Sequence, residues 1–348
     1  MMRGSANRRF VLLDGLRGVA ALGVAAFHLW LAPSYQGFNS FVDFFFVLSG
    51  FVLAPAVLSF QKGSRKRFLV GRVIRLYPML IPVFITLALV QNVPFISKHV
   101  TGFPSTTPLV FLGTVLLLQI FWGATISVNT PLWSLSAEWF TNLFATIYPS
   151  KQRFSIIILF GLTIEIAGLF ISHRYSLDWG VIKYTIAIGR AFVGFYLGII
   201  LRDQFKSHDR KGSTKNLFLI LAFFTINFFL IDFSSAFIIF AAPICYFLVR
   251  EVARFEESRL PKLILMACSY MGRISYGIYV WHSVIGTLAI PAFVLKYSSN
   301  SLQFIPEPLF NVTLTVVILV IVTEVSIRFF EVPIRTFAHS RLRMFREN

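Results

Sequence analysis

The chain has 348 residues, of which 56% are hydrophobic and 14% charged, with 40 Phe and a mean hydropathy of +0.74. That charge content is little more than half of what a soluble domain carries, which excludes disordered and fibrous classes and a soluble enzyme. The net charge of +17 does not signal nucleic acid, because 25 of the 32 Lys and Arg fall in short turns and tails between apolar blocks. No basic stretch is interleaved with aromatics on a soluble surface. At about 20 apolar residues per crossing, the length supplies about ten to twelve spans of a polytopic membrane protein.

In chain order, apolar blocks fall at 12–32, 40–60, 76–96, 109–124, 131–149, 154–172, 181–201, 216–231, 233–249, 275–295 and 309–330. Basic residues cluster in alternate turns, most densely over 62–75, which is the positive-inside pattern and assigns both termini to the cytoplasm. Eleven blocks cannot all cross under that constraint. The 98–108 loop, poor in charge, reads as external, and Lys151 with Arg153 as internal. One block between them is therefore re-entrant or partly inserted. Block 109–124 is the choice, because the Trp-Gly and Asn-Thr-Pro runs at 122–131 break the helix after it. Irregular backbone at that depth survives only against protein or a water-filled cavity. The expectation is an all-α bundle of about ten transmembrane helices plus one re-entrant segment, forming a single domain over 1–348. Cys245 and Cys268 lack metal-type spacing and read as two buried thiols.

Ionisable residues inside a bilayer are costly and mark function or pair with one another. Those at issue are Arg17, His28, Asp43, Glu138, Glu165, Arg190, Arg273, His282 and Glu324. At 100° per residue, the eleven positions from Arg17 to His28 return to within 20° of the same face, roughly 16 Å along the helix axis. Ser275 and His282, seven apart, also share a face. Glu138 follows two hydroxyls, Ser134 and Ser136, just after Pro131. Glu165 and Glu324 are single acids expected to pair with cations of neighbouring helices. Arg72 and Arg75 stand three apart at the mouth of the third span, where guanidinium groups suit phosphate.

The segments LDGLRGVAALGVAAFH (13–28), FVDFFFVLSGF (41–51), GRVIRLYP (71–78), LWSLSAEWF (132–140), SYGIYVWH (275–282) and EVPIR (331–335) run in this order from one end of the chain to the other. Together they resemble the integral-membrane acyltransferase family often called acyltransferase-3. Gly71 stands where the family usually has a further Arg, and Ala137 where it has Val. The resemblance implies a ten-span enzyme of the bacterial inner membrane. It implies transfer of an acyl group, usually acetyl, from cytosolic acyl-CoA to a hydroxyl of a sugar or cell-surface glycan, with no permanently bound cofactor. The family's Arg-x10-His motif lands on Arg17 and His28.

The expected roles follow. His28 is the general base, since imidazole titrates near neutral pH, and Glu138 is expected to orient it as a carboxylate supports a catalytic histidine. Arg17, Arg72 and Arg75 hold the coenzyme A phosphates. Asp43, Ser49, Ser136, Ser275, Tyr276 and His282 complete the acceptor or acyl pocket. An acyl-histidine intermediate stays open. So does a second reading, a proton-coupled transporter in which His28, Glu138 and His282 form a relay; against it, the halves of the chain show no internal repeat.

Overall fold

In a computed structural model, residues 10–29, 35–60, 64–92, 107–122, 129, 131–171, 180–205, 213–255, 260–297 and 307–347 are described. Among them every regular element is helical. The order is α1 (Val11–His28), α2 (Ser40–Leu58), α3 (Ser64–Asn92), α4 (Pro108–Val115), α5 (Gln119–Trp122), α6 (Leu132–Ile147), α7 (Phe154–Ile171), α8 (Gly180–Gln204), α9 (Thr214–Phe233), α10 (Ala241–Arg254), α11 (Lys262–Tyr297), α12 (Glu307–Ser326) and α13 (Val332–Glu347). Eight helical stretches are long and apolar enough to cross a bilayer, making this a multi-pass membrane protein. Large apolar side chains face outward where lipid would meet them, as Phe218, Phe223, Phe229 and Phe233 do along α9.

Each of the eleven apolar blocks forms helix, and three boundaries depart from the expectation. The basic 62–75 stretch is not a loop: α3 begins at Ser64 and carries Arg72 and Arg75 on helix. In the same way α11 begins at Lys262, ahead of its apolar core. Lys and Arg are good helix formers, so a span continues past the apolar zone as a charged extension. Beyond α12, a π-turn over Ile327–Glu331 leads into α13. Pro333 accounts for that turn, since it offers no N–H to the preceding turn and crowds the carbonyl four residues back.

Block 109–124 divides into α4, eight residues long, and the single turn α5. Between them Leu117 adopts φ 56°, a left-handed conformation that strains a branched side chain. Eight residues rise only about 12 Å, far short of the ~30 Å hydrocarbon core.

Packing is pairwise. α1 lies along α11, α2 along α8, and α8 along α7. Helices without a water-driven incentive to associate approach through small residues. A Cβ on Gly50 of α2 would come within 1.9 Å of the Phe195 carbonyl oxygen of α8, so only glycine fits there. Gly272 of α11 packs against Asp14 of α1, where a Cβ would meet the Asp14 Cβ at 2.5 Å. The largest buried cluster, including Met79, Leu80, Leu132, Ile278 and Val280, joins α3, α6 and α11 around the faces that carry the polar motifs.

Candidate active site

Two facing helices, α1 and α11, set the axis of the site. At its lower end the Arg17 guanidinium donates from Nε to Ser275 Oγ at 2.9 Å and from Nη2 to the Gly272 carbonyl at 2.5 Å. Asp14, one turn earlier, lies 3.5 Å from Nη2. Ser275 is thus committed to holding Arg17 and to the Gly272 carbonyl at 2.9 Å.

Three helices away in sequence, Arg72 of α3 donates to Glu138 Oε1 of α6, and Ser49 Oγ of α2 donates to the same oxygen at 2.7 Å. Arg75, one turn beyond Arg72, lies 5.4 Å above the Tyr276 ring and donates to Glu331 Oε1 at 2.7 Å. Tyr276 is itself fixed by a 2.9 Å hydrogen bond from its hydroxyl to the Leu76 carbonyl. These side chains surround a cavity of about 190 Å³, lined by Arg17, Arg72 and Arg75 and by Ser49, Ser134 and Tyr279 among others. Its remaining wall is apolar, formed by residues such as Phe45, Leu48 and Leu135.

At the upper end the cavity meets Tyr279. Its hydroxyl is hydrogen-bonded to that of Ser134 and donates to the Pro131 carbonyl at 3.0 Å. Beyond Tyr279, 5.7 Å between ring centroids, stands His282, and 5.1 Å farther His28. Both imidazoles turn Nδ1 toward a carbonyl of their own helix, His28 to Val24 at 2.9 Å and His282 to Ile278 at 3.3 Å. A carbonyl oxygen only accepts. In the neutral rings Nδ1 therefore carries the proton and Nε2 carries the lone pair. His28 is half-buried. His282 is fully buried, and its Nε2 has no hydrogen-bond partner.

The structure thus brings Arg17, Ser49, Arg72, Arg75, Glu138, Ser275 and Tyr276 to one cavity, and His28 against His282 past its end. Three expected settings differ. Glu138 does not orient His28: its Oε1 accepts from Arg72 and Ser49, and the ring that stands against His28 is that of His282. Asp43 does not reach the cavity, because both of its oxygens accept from Arg190 of α8. Ser136 is spent on the break between α4 and α5: it donates to the Leu117 carbonyl at 2.5 Å and accepts from Ile120 N at 3.3 Å.

Of the single acids, Glu324 pairs with Arg273. Glu165 is buried beside Gly189, and no ion pair of it is found among the described residues. Cys245 is buried, whereas Cys268 is only half-buried, where the α1–α11 contact brings it against Gly15. The 98–106 part of the loop read as external lies outside the described residues. Sequence reasoning assigned no role to Tyr279, Glu331 or Arg335. The i,i+4 spacing of Glu331 and Arg335 was the available signal, and in the structure they pair at 2.8 Å.

A family model described as an acyltransferase domain matches residues 10–326. The chain belongs to the acyltransferase-3 family. Staphylococcus aureus (strain COL) has a relative named "Putative O-acetyltransferase SACOL0978", 26% identical over 93% of this chain and 57% of its own length. "Peptidoglycan O-acetyltransferase OatA" of Listeria monocytogenes serovar 1/2a is 25% identical over 94% of this chain and 56% of its own length. This family member therefore spans a little over half the length of those relatives. No solved structure matches it.

Proposed function

We propose that this protein is an O-acyltransferase of the bacterial plasma membrane, moving an acyl group, acetyl in the first instance, from cytosolic acyl-CoA to a hydroxyl of a sugar or cell-surface glycan. Ten of its helices cross the bilayer: the eight apolar stretches together with α6 and α8. The segment α4–α5 enters without crossing, and both termini are cytoplasmic. The single observation that carries this reading is the line of groups along α1 and α11, from an arginine-rimmed cavity at one end to the facing imidazoles of His28 and His282 at the other. The names of the relatives favour acetyl and an envelope glycan.

Each group then has a task. Arg17, Arg72 and Arg75 grip donor phosphates, because planar guanidinium forks match phosphate oxygens. Glu138 holds Arg72 in place across the α3–α6 interface. The thioester arm rises through the narrow cavity past Tyr279. His28 Nε2 takes the proton of the acceptor hydroxyl as its oxygen attacks the thioester carbonyl. The carbon–sulfur bond breaks, and the departing thiolate takes that proton back from the imidazolium. Atoms and charge balance without a permanently bound cofactor.

The test is chemical. Acetate released by mild alkali is measured from envelope glycans of cells expressing the wild type or His28→Ala at equal membrane abundance. The expected result is ester-linked acetate above background with the wild type only. Equal acetate in both strains contradicts the base assignment, and none in either contradicts the acceptor class.

A further inference from the structure

Outside the cavity lies a wider vestibule of about 850 Å³, against about 190 Å³ inside. Arg17 and Arg75 line both, so they form the threshold between the two. The vestibule wall adds Arg273 from α11, Glu331 from the π-turn and Arg335 from α13, with Asp14 from α1. The inner cavity is below the usual 300–1,000 Å³ of a small-molecule site, and the vestibule is within it. A thread-like arm fits the first and a nucleotide the second.

The charge is unbalanced. Four guanidinium groups (Arg17, Arg75, Arg273, Arg335) and two carboxylates (Asp14, Glu331) line the vestibule, and with Glu324, which pairs with Arg273 from outside that lining, the cations still exceed the acids by one. One oxygen, Glu331 Oε1, accepts from Arg75 at 2.7 Å and from Arg335 at 2.8 Å, so a single negative charge serves two cations. Glu331 itself is nearly buried, whereas the Arg335 and Arg273 side chains are 38% and 45% exposed. The acid is thus locked into the wall while the cations reach into the open space. Phosphate supplies the missing negative charge, and charge-assisted guanidinium contacts of this kind are the strong ones.

We propose that the vestibule binds the phosphorylated nucleotide end of the donor, and that Arg273 and Arg335 recognise its 3′-phosphate. This rests on the coenzyme A reading above and adds to it a specificity. The donor site distinguishes coenzyme A from its 3′-dephospho form, with the diphosphate at the Arg17–Arg75 threshold and the 3′-phosphate farther out. The same phosphate chemistry is offered by an anionic lipid headgroup, so the experiment separates the two sources.

The measurement is ligand-dependent thermal stabilisation of the purified protein in nanodiscs of zwitterionic lipid, titrated with coenzyme A and with 3′-dephospho-coenzyme A. The wild type is expected to bind coenzyme A at least tenfold more tightly. In Arg273→Gln and Arg335→Gln that preference falls toward unity while affinity for the dephospho form holds. Arg335→Lys, which keeps the charge, retains part of it. Repeating the titration in phosphatidylglycerol nanodiscs is expected to leave the preference in place.

Equal binding of both forms by the wild type overturns the assignment of the 3′-phosphate alone. Variants with an undiminished preference overturn it too. A preference that vanishes in phosphatidylglycerol assigns the vestibule to lipid headgroups instead. Absence of saturable binding of either form to folded wild type overturns the donor reading and this assignment with it.

Discussion

Two of the arginine–carboxylate pairs that cross helix interfaces, Asp43–Arg190 and Arg72–Glu138, are built differently. In the Asp43–Arg190 pair of α2 and α8 the side chains are 1% and 3% exposed, and both carboxylate oxygens are engaged, at 3.1 and 2.7 Å. Arg190 also donates to the Asn39 carbonyl at 2.8 Å and lies 5.6 Å above the Trp133 ring. Both carboxylate oxygens and two of the three guanidinium nitrogens are committed within the helix packing. In the Arg72–Glu138 pair the side chains are 14% and 18% exposed, only Oε1 is engaged, and both residues line the cavity. A closed pair holds a frame, whereas a pair open on one side can exchange a partner for a ligand. Residue type does not separate them; the number of satisfied atoms and the nearness of a cavity do.

The largest effect is expected where the pair is closed. Asp43→Ala leaves a buried guanidinium without its counter-charge, costing about 3–5 kcal/mol. It is expected to abolish folded protein, read as loss of a monodisperse peak in detergent. The double variant Asp43→Leu/Arg190→Met removes both charges and is expected to regain much of it. A stable single variant would put the two pairs on the same footing.

Next comes the chemistry. His28→Ala is expected to cut turnover by about 10²–10⁴-fold, the range of a general base. Melting temperature should barely change, because the hydrogen bond lost runs to the residue's own helix.

A smaller effect is expected at the open pair. Arg72→Ala should raise the donor KM by about tenfold or more at near-normal stability, since Glu138 keeps Ser49 and partial solvent access. Arg72→Lys is expected to recover little, as a point charge does not reproduce the guanidinium fork. The smallest change belongs to Ser49→Ala. It removes one of two donors to Glu138 Oε1 and should alter donor KM by about fivefold at most.

The spans were legible because a 20-residue apolar block has one solution in lipid, a helix. Block 109–124 was readable as re-entrant or partly inserted from the helix-breaking run at 122–131, but the break inside it at Leu117 was not, because Leu116, Leu117 and Leu118 carry no helix-breaking signal. Arg17, Arg72 and Arg75 were readable as a group because helical spacing and the basic mouth both point to them. Partner choice was not. Glu138 and Asp43 carry the same charge on neighbouring spans, and only packing gives Arg72 to one and Arg190 to the other. Ser136 reads as a site hydroxyl beside Glu138. Helix rotation turns it the other way, onto the strained carbonyl of Leu117. The charged extension of α3 and the π-turn before Pro333 were hidden because charge was read as loop, although a helix tolerates it once outside the bilayer.

The central claim is that donor binding and proton transfer occupy opposite ends of one path, with Arg72 and Arg75 below and His28 above. Thermal stabilisation by acetyl-CoA, titrated in nanodiscs on wild type, His28→Ala and Arg72→Ala/Arg75→Ala, tests this most directly. The account predicts saturable stabilisation of the wild type and of His28→Ala at similar affinity. It predicts none for the arginine double variant, with helix content unchanged. Loss of stabilisation in His28→Ala, or its survival in the double variant, would contradict the separation.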